Sequence, residues 1–239
     1  MRRVMVAHFL ASTSVIGALL ALLAVFDQAW EHVYGWLGLA LILQTAGSDD
    51  AALLPLPVSV DRPDLEEDDH PVPIAAIASF LTAVFVPVIA MLHAGFLDGL
   101  AGAAVASIIM LSALYRIGFV ERSGINGSRF LGLPAAWSII GFYLHAFDAT
   151  PLAAVLAIGL GIVLGLVPLS WPNPLSSERW PQLTRALVVV WFATAAYALT
   201  QGFQATAPIT KAILLGTAAY GLLLAALMAR KASAQPEKD

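Results

Sequence analysis

The chain has 239 residues, of which 59% are hydrophobic and 12% are charged, against roughly 25% charged in soluble domains. Because so few polar residues could not cover the surface of a soluble domain, the composition predicts an integral membrane protein. The formal net charge is −4 and no basic run suits nucleic acid. Because cysteine is absent, disulfides, thiolate ligands and a cysteine nucleophile are excluded.

Apolar stretches long enough to cross a bilayer recur along the whole chain. About 20 apolar residues are needed for a helix to cross the hydrocarbon core. The run from Val4 to Phe26 is longer than a signal-peptide core, so it is predicted to be a retained first helix. The fold class is therefore predicted as all-α, a single polytopic membrane helix bundle of about eight transmembrane helices. Its spans are roughly 5–26, 31–47, 72–94, 98–119, 131–147, 151–170, 184–203 and 208–229, with an acidic cytoplasmic loop at 48–71 and a polar C-terminal tail at 230–239.

The positions of the basic residues predict the orientation of these helices. With the N-terminus inside, all lysines and arginines except Lys211 lie in cytoplasmic regions or at cytoplasmic helix ends. Positive charge is strongly enriched on the cytoplasmic side of membrane proteins. The sequence therefore predicts an N-in/C-in bundle whose longer loops face the cytoplasm.

Several short segments occur in a fixed order between residues 5 and about 230. They are AHFLAS at 7–12, WLGLAL at 36–41, TAVFVP at 82–87, FLGLPAAW at 130–137, and VP at 167–168 followed by NP at 173–174. In these segments and their spacing the chain resembles the phosphatidylcholine synthases, within the CDP-alcohol phosphotransferase superfamily. The family's eight-span, N-in layout agrees with the distribution of charge.

The resemblance implies a fold, a reaction and a location. Phosphatidylcholine synthases transfer a phosphatidyl group from CDP-diacylglycerol to choline and release CMP. Their signature is D-x-x-D-G-x-x-A-R followed by G-x-x-x-D-x-x-x-D on the second and third helices. Aspartates four residues apart share a helix face and can hold Mg²⁺ or Mn²⁺, which neutralise the pyrophosphate, and the last aspartate suits a general base. The implied location is the bacterial inner (cytoplasmic) membrane or its intracytoplasmic extensions.

This chain departs from the signature at nearly every position. The first two aspartates fall on Gln44 and Gly47, the glycine, alanine and arginine that follow fall on Ser48, Ala51 and Ala52, and the last two aspartates fall on Ala75 and Ser79. An asparagine of the family falls on Ser138. Uncharged side chains cannot neutralise a cation, so the sequence predicts no catalytic residue and no metal site here. The main hypothesis is a pseudoenzyme, a non-catalytic accessory or structural subunit of a larger membrane assembly, in contact with lipids and other membrane proteins.

Two alternatives remain open. The first is an active phosphatidylcholine synthase with a rearranged metal site for Mn²⁺ or Mg²⁺, built from carboxylates such as Asp49, Asp50 and Asp64. The second is a lipid-binding or lipid-transporting membrane protein that keeps a remnant pocket. That pocket would be lined by Gln44, Ser48, Ser79 and Thr82, although interhelical hydrogen bonding is the simpler expectation for these side chains.

The remaining polar features are an acidic strip and two histidines. The strip comprises Asp61, Asp64, Glu66, Glu67, Asp68 and Asp69. It could dock a basic partner, but it lacks the glycine turn of a calcium-binding loop, and a solvated loop is the simpler interpretation. His8 and His145 could ligate a haem or pigment, but hydrogen bonds to neighbouring helices are expected instead. No cofactor is therefore expected unless the active-enzyme alternative holds.

Overall fold

The computed structural model describes residues 2–47, 74–122, 129–131, 136–166, 170–172 and 180–233. Most of these residues are helical, so the predicted helical bundle is confirmed. The α-helices are α1 Arg2–Phe26, α2 Trp30–Gly47, α3 Ile74–Phe80, α4 Val86–His93, α5 Gly99–Arg122, α6 Ala136–Ala146, α7 Pro151–Leu166, α8 Pro181–Gln201 and α9 Pro208–Ser233. A π-helical segment, Leu81–Phe85, joins α3 to α4 without a break.

The predicted spans 131–147 and 151–170 are wrong at one end each. Two short strands, β1 Arg129–Leu131 and β2 Ser170–Pro172, pair in antiparallel register with Phe130 opposite Trp171. The prolines of these segments explain the difference, because proline cannot continue a helical hydrogen-bond ladder and disfavours helix in the residue before it. Helix α7 ends at Leu166, two residues before Pro168. At its C-terminal end, α9 includes the first four residues of the predicted polar tail and ends at Ser233.

The predicted span 72–94 is not a regular α-helix. In its middle the amide of Val86 donates to the carbonyl of Leu81, a bond to the fifth preceding residue. Such π-helical turns are rare and occur mostly as single turns inside α-helices, often at functional sites. The next residue, Pro87, has no amide hydrogen. The regular α-helical pattern of hydrogen bonds is therefore interrupted at this position.

Two groups of buried apolar side chains form the core. The first lies between α1, α2, α4 and α6 and extends to α8 and α9; the second lies between α4, α5, α6 and α7. Helices α1 and α2 pack closely at Gly17, where a Cβ atom would lie 3.0 Å from the Cβ of Ala40. Small residues at a contact let helix backbones approach in this way. Residues three or four positions away share the same helix face, so Ser14 of α1 and Gln44 of α2 are directed toward each other.

The apolar character of the helices extends to their exposed faces. Within the described residues, Gln182–Gln201 is the one helix that is both long and apolar enough to cross a bilayer. Apolar stretches of 10–17 residues occupy Ser12–Phe26, Ile77–His93, Gly99–Tyr115, Pro151–Gly165 and Pro208–Leu224.

Candidate functional site

Gln44, near the end of α2, is the centre of a hydrogen-bonded group in the bundle. Its Nε2 donates to Ser14 Oγ at 3.1 Å and to Thr82 Oγ1 at 2.7 Å. Its Oε1 accepts a hydrogen bond from Ser79 Oγ at 3.2 Å. Together these four residues are called the Gln44 cluster. Since they lie on α1, α2, α3 and the π-helical segment, the cluster joins three parts of the bundle that are distant in sequence.

The π-helical segment leaves the carbonyl of Thr82 without a backbone donor. In an α-helix this carbonyl would accept from Val86, but that amide is bonded to Leu81. In a continued π-helix it would accept from residue 87, which is a proline without an amide hydrogen. Ser138 of α6 supplies the missing donor, with its Oγ 2.9 Å from the Thr82 carbonyl oxygen. This bond therefore attaches α6 to the π-helical segment, directly beside the Gln44 cluster.

Removing that hydroxyl should loosen the π-helical segment. We expect Ser138→Ala to lower the free energy of unfolding by about 1 kcal/mol, the range found for polar contacts between membrane helices. Thermal unfolding followed by tryptophan fluorescence would measure this loss, and hydrogen–deuterium exchange should rise in a peptide that includes 81–86. The matched control is Ser107→Ala, because that exposed hydroxyl bonds only within its own helix, to Ala103 at 2.9 Å. Equal exchange in the wild type and Ser138→Ala would contradict this role for Ser138.

The Gln44 cluster does not have the chemistry of a divalent-cation site. It contains one amide and three hydroxyls, whereas Mg²⁺ and related cations are held chiefly by carboxylates. Both amide hydrogens of Gln44 are already bonded to protein oxygens. Among the residues that the structure describes, no three His, Cys, Asp or Glu side chains lie close enough to share a metal ion. The described residues therefore do not fit the cation that the family resemblance implies.

The structure brings together three of the four predicted pocket residues, Gln44, Ser79 and Thr82. Ser14, the fourth member of the cluster, and Ser138, which bonds to the Thr82 carbonyl beside it, were not predicted for this pocket. The available signal for Ser14 was its position one helical turn before Gly17. Gly47 is the last residue of α2, and Ala75 lies in the first turn of α3. The other predicted positions lie outside the described residues: Ser48, Asp49, Asp50, Ala51, Ala52, Asp61, Asp64, Glu66, Glu67, Asp68 and Asp69.

A second polar group surrounds His145 at the opposite end of α6 from Ser138. The Nδ1 atom of His145 lies 2.8 Å from the hydroxyl of Tyr34 and 2.9 Å from the carbonyl oxygen of Gly141. The rings of Trp30 and Phe96 also pack against the imidazole, with centroids 4.7 and 4.9 Å away. The interhelical hydrogen bond expected for His145 is therefore present. The side chain of His8, on α1, lies outside what the structure describes.

Comparisons with known proteins extend the evidence beyond the geometry. No family model matches the chain. The phosphatidylcholine synthase of Bradyrhizobium diazoefficiens is 29% identical over 208 residues, which cover 86% of this chain and 74% of that protein. The phosphatidylcholine synthase of Rhizobium meliloti is 24% identical over 91% of this chain and 86% of its own length. That of Pseudomonas aeruginosa is 25% identical over 89% of this chain and 86% of its own length.

These matches overturn the hypothesis of a non-catalytic accessory subunit. The matching curated proteins are all named phosphatidylcholine synthase, which points to a catalytic protein rather than to a pseudoenzyme. The main hypothesis was wrong because it gave the exchanged motif residues more weight than the similarity of the whole chain. The resemblance inferred from the short segments is confirmed by alignments that extend over most of the sequence. The chain is a relative of the bacterial phosphatidylcholine synthases.

Proposed function

We propose that the chain is a phosphatidylcholine synthase, which transfers the phosphatidyl group of CDP-diacylglycerol to choline. The observation that carries this proposal is the similarity to proteins of that name over 80% to 92% of the chain. In the reaction, the choline oxygen forms a bond to the phosphorus of the phosphatidyl group. The phosphoanhydride bond to CMP breaks, CMP leaves, and the hydroxyl proton of choline is released.

A membrane location, which a lipid substrate requires, is supported by the exposed side chains of the helices. Leu111 of α5, Leu152 of α7 and Ile209 of α9 are 66%, 69% and 68% exposed. Many other large apolar side chains of the described helices are exposed as well, and lipid tails would solvate them. The proposal therefore places the helical bundle across the bacterial inner membrane. Both termini lie on the cytoplasmic side, which follows the distribution of lysine and arginine.

The proposal requires carboxylates at positions other than those of the family signature. Gln44 and Ser79 are uncharged and are hydrogen-bonded to each other, so they offer no carboxylate to a cation. The carboxylates that follow α2 most closely in sequence are Asp49 and Asp50. A third, Asp64, belongs to the acidic segment before α3. We assign the stabilisation of the pyrophosphate to these carboxylates, in the cytoplasmic loop between the second and third membrane segments.

An assay of the purified full chain tests the proposed reaction directly. In mixed micelles containing CDP-diacylglycerol, radiolabelled choline and Mn²⁺ or Mg²⁺, we expect labelled phosphatidylcholine and CMP to form in equal amounts. Membranes from cells that lack the gene provide the background. Serine and glycerol 3-phosphate, tested in place of choline, determine whether the acceptor is specific. The absence of labelled phosphatidylcholine with either cation, in a preparation that remains folded, would contradict the proposal.

A further inference from the structure

The Gln44 cluster lies where the family signature places aspartates on the second and third helices. Gln44 and Ser79 stand at the first and last of these aspartate positions, and their oxygens are only 3.2 Å apart. Two carboxylates facing each other this closely would repel unless a proton or a cation lay between them. An amide and a hydroxyl instead bond directly, so α2 and α3 meet here without an intervening ion.

The hydrogen bonds of the cluster leave little opportunity for a cation to enter. Both amide hydrogens of Gln44 are used, and the hydroxyl of Thr82 donates to the carbonyl of Ala78 at 2.8 Å. Ser14 and Thr82 are buried, with 0% and 4% of their surfaces exposed. A divalent cation would have to break these bonds and would gain only neutral oxygens, which cannot offset the cost of burying its charge.

We infer that the Gln44 cluster takes the place of a divalent-cation bridge between α2 and α3. The packing of α1, α2 and α3 is then independent of divalent cations, and any cation that the reaction uses is bound elsewhere on the chain. Only this last consequence rests on the proposed function. The packing of α1, α2 and α3 does not depend on the proposed function. It can therefore be tested whether or not the protein turns over choline.

The test measures Mn²⁺ binding and thermal stability on the purified full chain in detergent. Electron paramagnetic resonance reports free Mn²⁺, and tryptophan fluorescence reports Tm with Mn²⁺ or with EDTA. We expect the shift in Tm between Mn²⁺ and EDTA to agree within about 1 °C in the wild type and Ser79→Ala, because Mn²⁺ that binds elsewhere on the chain stabilises both proteins equally. Ser79→Ala should leave Mn²⁺ affinity unchanged.

The complementary variant restores two of the four aspartates of the family signature. We expect Gln44→Asp/Ser79→Asp to bind Mn²⁺ at least about tenfold more tightly than the wild type, and its Tm to rise more with Mn²⁺ than the wild-type Tm does. A folded double variant without this gain would overturn the inference. So would a tenfold loss of Mn²⁺ affinity in Ser79→Ala, or a shift in Tm between Mn²⁺ and EDTA that is smaller in Ser79→Ala than in the wild type by more than about 1 °C. If the double variant does not fold, the Mn²⁺ affinity and the Tm of Ser79→Ala still test the inference. Failure of choline transfer would leave these readouts unaffected.

Discussion

Replacing Asp49 and Asp50 together with asparagine should remove most of the choline transfer. We expect kcat to fall on the order of 10²- to 10³-fold, the effect of deleting a group that stabilises charge in a transition state. The four positions of the family's aspartates hold Gln44, Gly47, Ala75 and Ser79 here, and none of these is a carboxylate. The work of stabilising the pyrophosphate therefore falls to other acidic residues, of which these two follow α2 most closely in sequence. Radiolabelled choline incorporation by the purified double variant measures the loss.

The matched control for this variant is Asp27→Asn/Asp148→Asn. Both residues are exposed and lie at the other end of the bundle, in the α1–α2 and α6–α7 connections. The same loss of two charges there should leave kcat within about twofold of the wild type, since surface changes away from a site have small effects. Equal activity in the Asp49/Asp50 variant and this control would show that the two aspartates are not needed.

Gln44→Ala should cause the largest loss of stability among single changes in the Gln44 cluster. It deletes three hydrogen bonds at once, to Ser14, Ser79 and Thr82, and separates groups that α1, α2 and α3 contribute. At about 0.6–1 kcal/mol for each bond, the free energy of unfolding should fall by about 2–3 kcal/mol. Tm would then fall by about 4–12 °C for a chain of this size, as measured by tryptophan fluorescence in detergent.

The same substitution at Gln201 provides the control. Gln201 is the exposed last residue of α8, so Gln201→Ala removes the same amide without breaking the cluster and should change stability by less than about 0.5 kcal/mol. Gln44→Leu fills most of the lost volume and separates packing from hydrogen bonding. If Gln44→Leu is as stable as the wild type, the hydrogen bonds of the cluster do not stabilise the bundle.

The helices could be predicted because each depends on local apolar composition. The second predicted span, 31–47, differs from α2 by a single residue. The strand pair could not be predicted, since three residues are too few for an alternating pattern and the two strands are about 40 positions apart. The π-helical segment was also missed, because its side chains follow nearly the same apolar pattern as a regular helix. Pro87 was the local signal for this segment. A proline, however, predicts only that the helical hydrogen bonds are interrupted, and it does not predict a π-helical turn in particular.

The candidate site could be predicted only in part. Ser79 and Thr82 are three residues apart and share a helix face, which made their grouping foreseeable. Ser14 and Ser138 joined them through the packing of α1 and α6, and the sequence alone does not specify which faces of those helices point inward. The function was misjudged for a different reason. Residue types at a motif are strong evidence about a particular mechanism, but they are weaker evidence about whether a related chain has kept its activity.

The pairing of β1 with β2 has a consequence for the order in which the bundle assembles. The strands flank α6 and α7 and are hydrogen-bonded to each other, so they close the helical hairpin into a loop whose two ends are fixed together. Supersecondary units of this kind often open and close as one cooperative unit. We expect α6 and α7 to enter the membrane as a pair during synthesis. Ser138 would then reach the π-helical segment as part of a preassembled hairpin, after the helices before it have already been inserted.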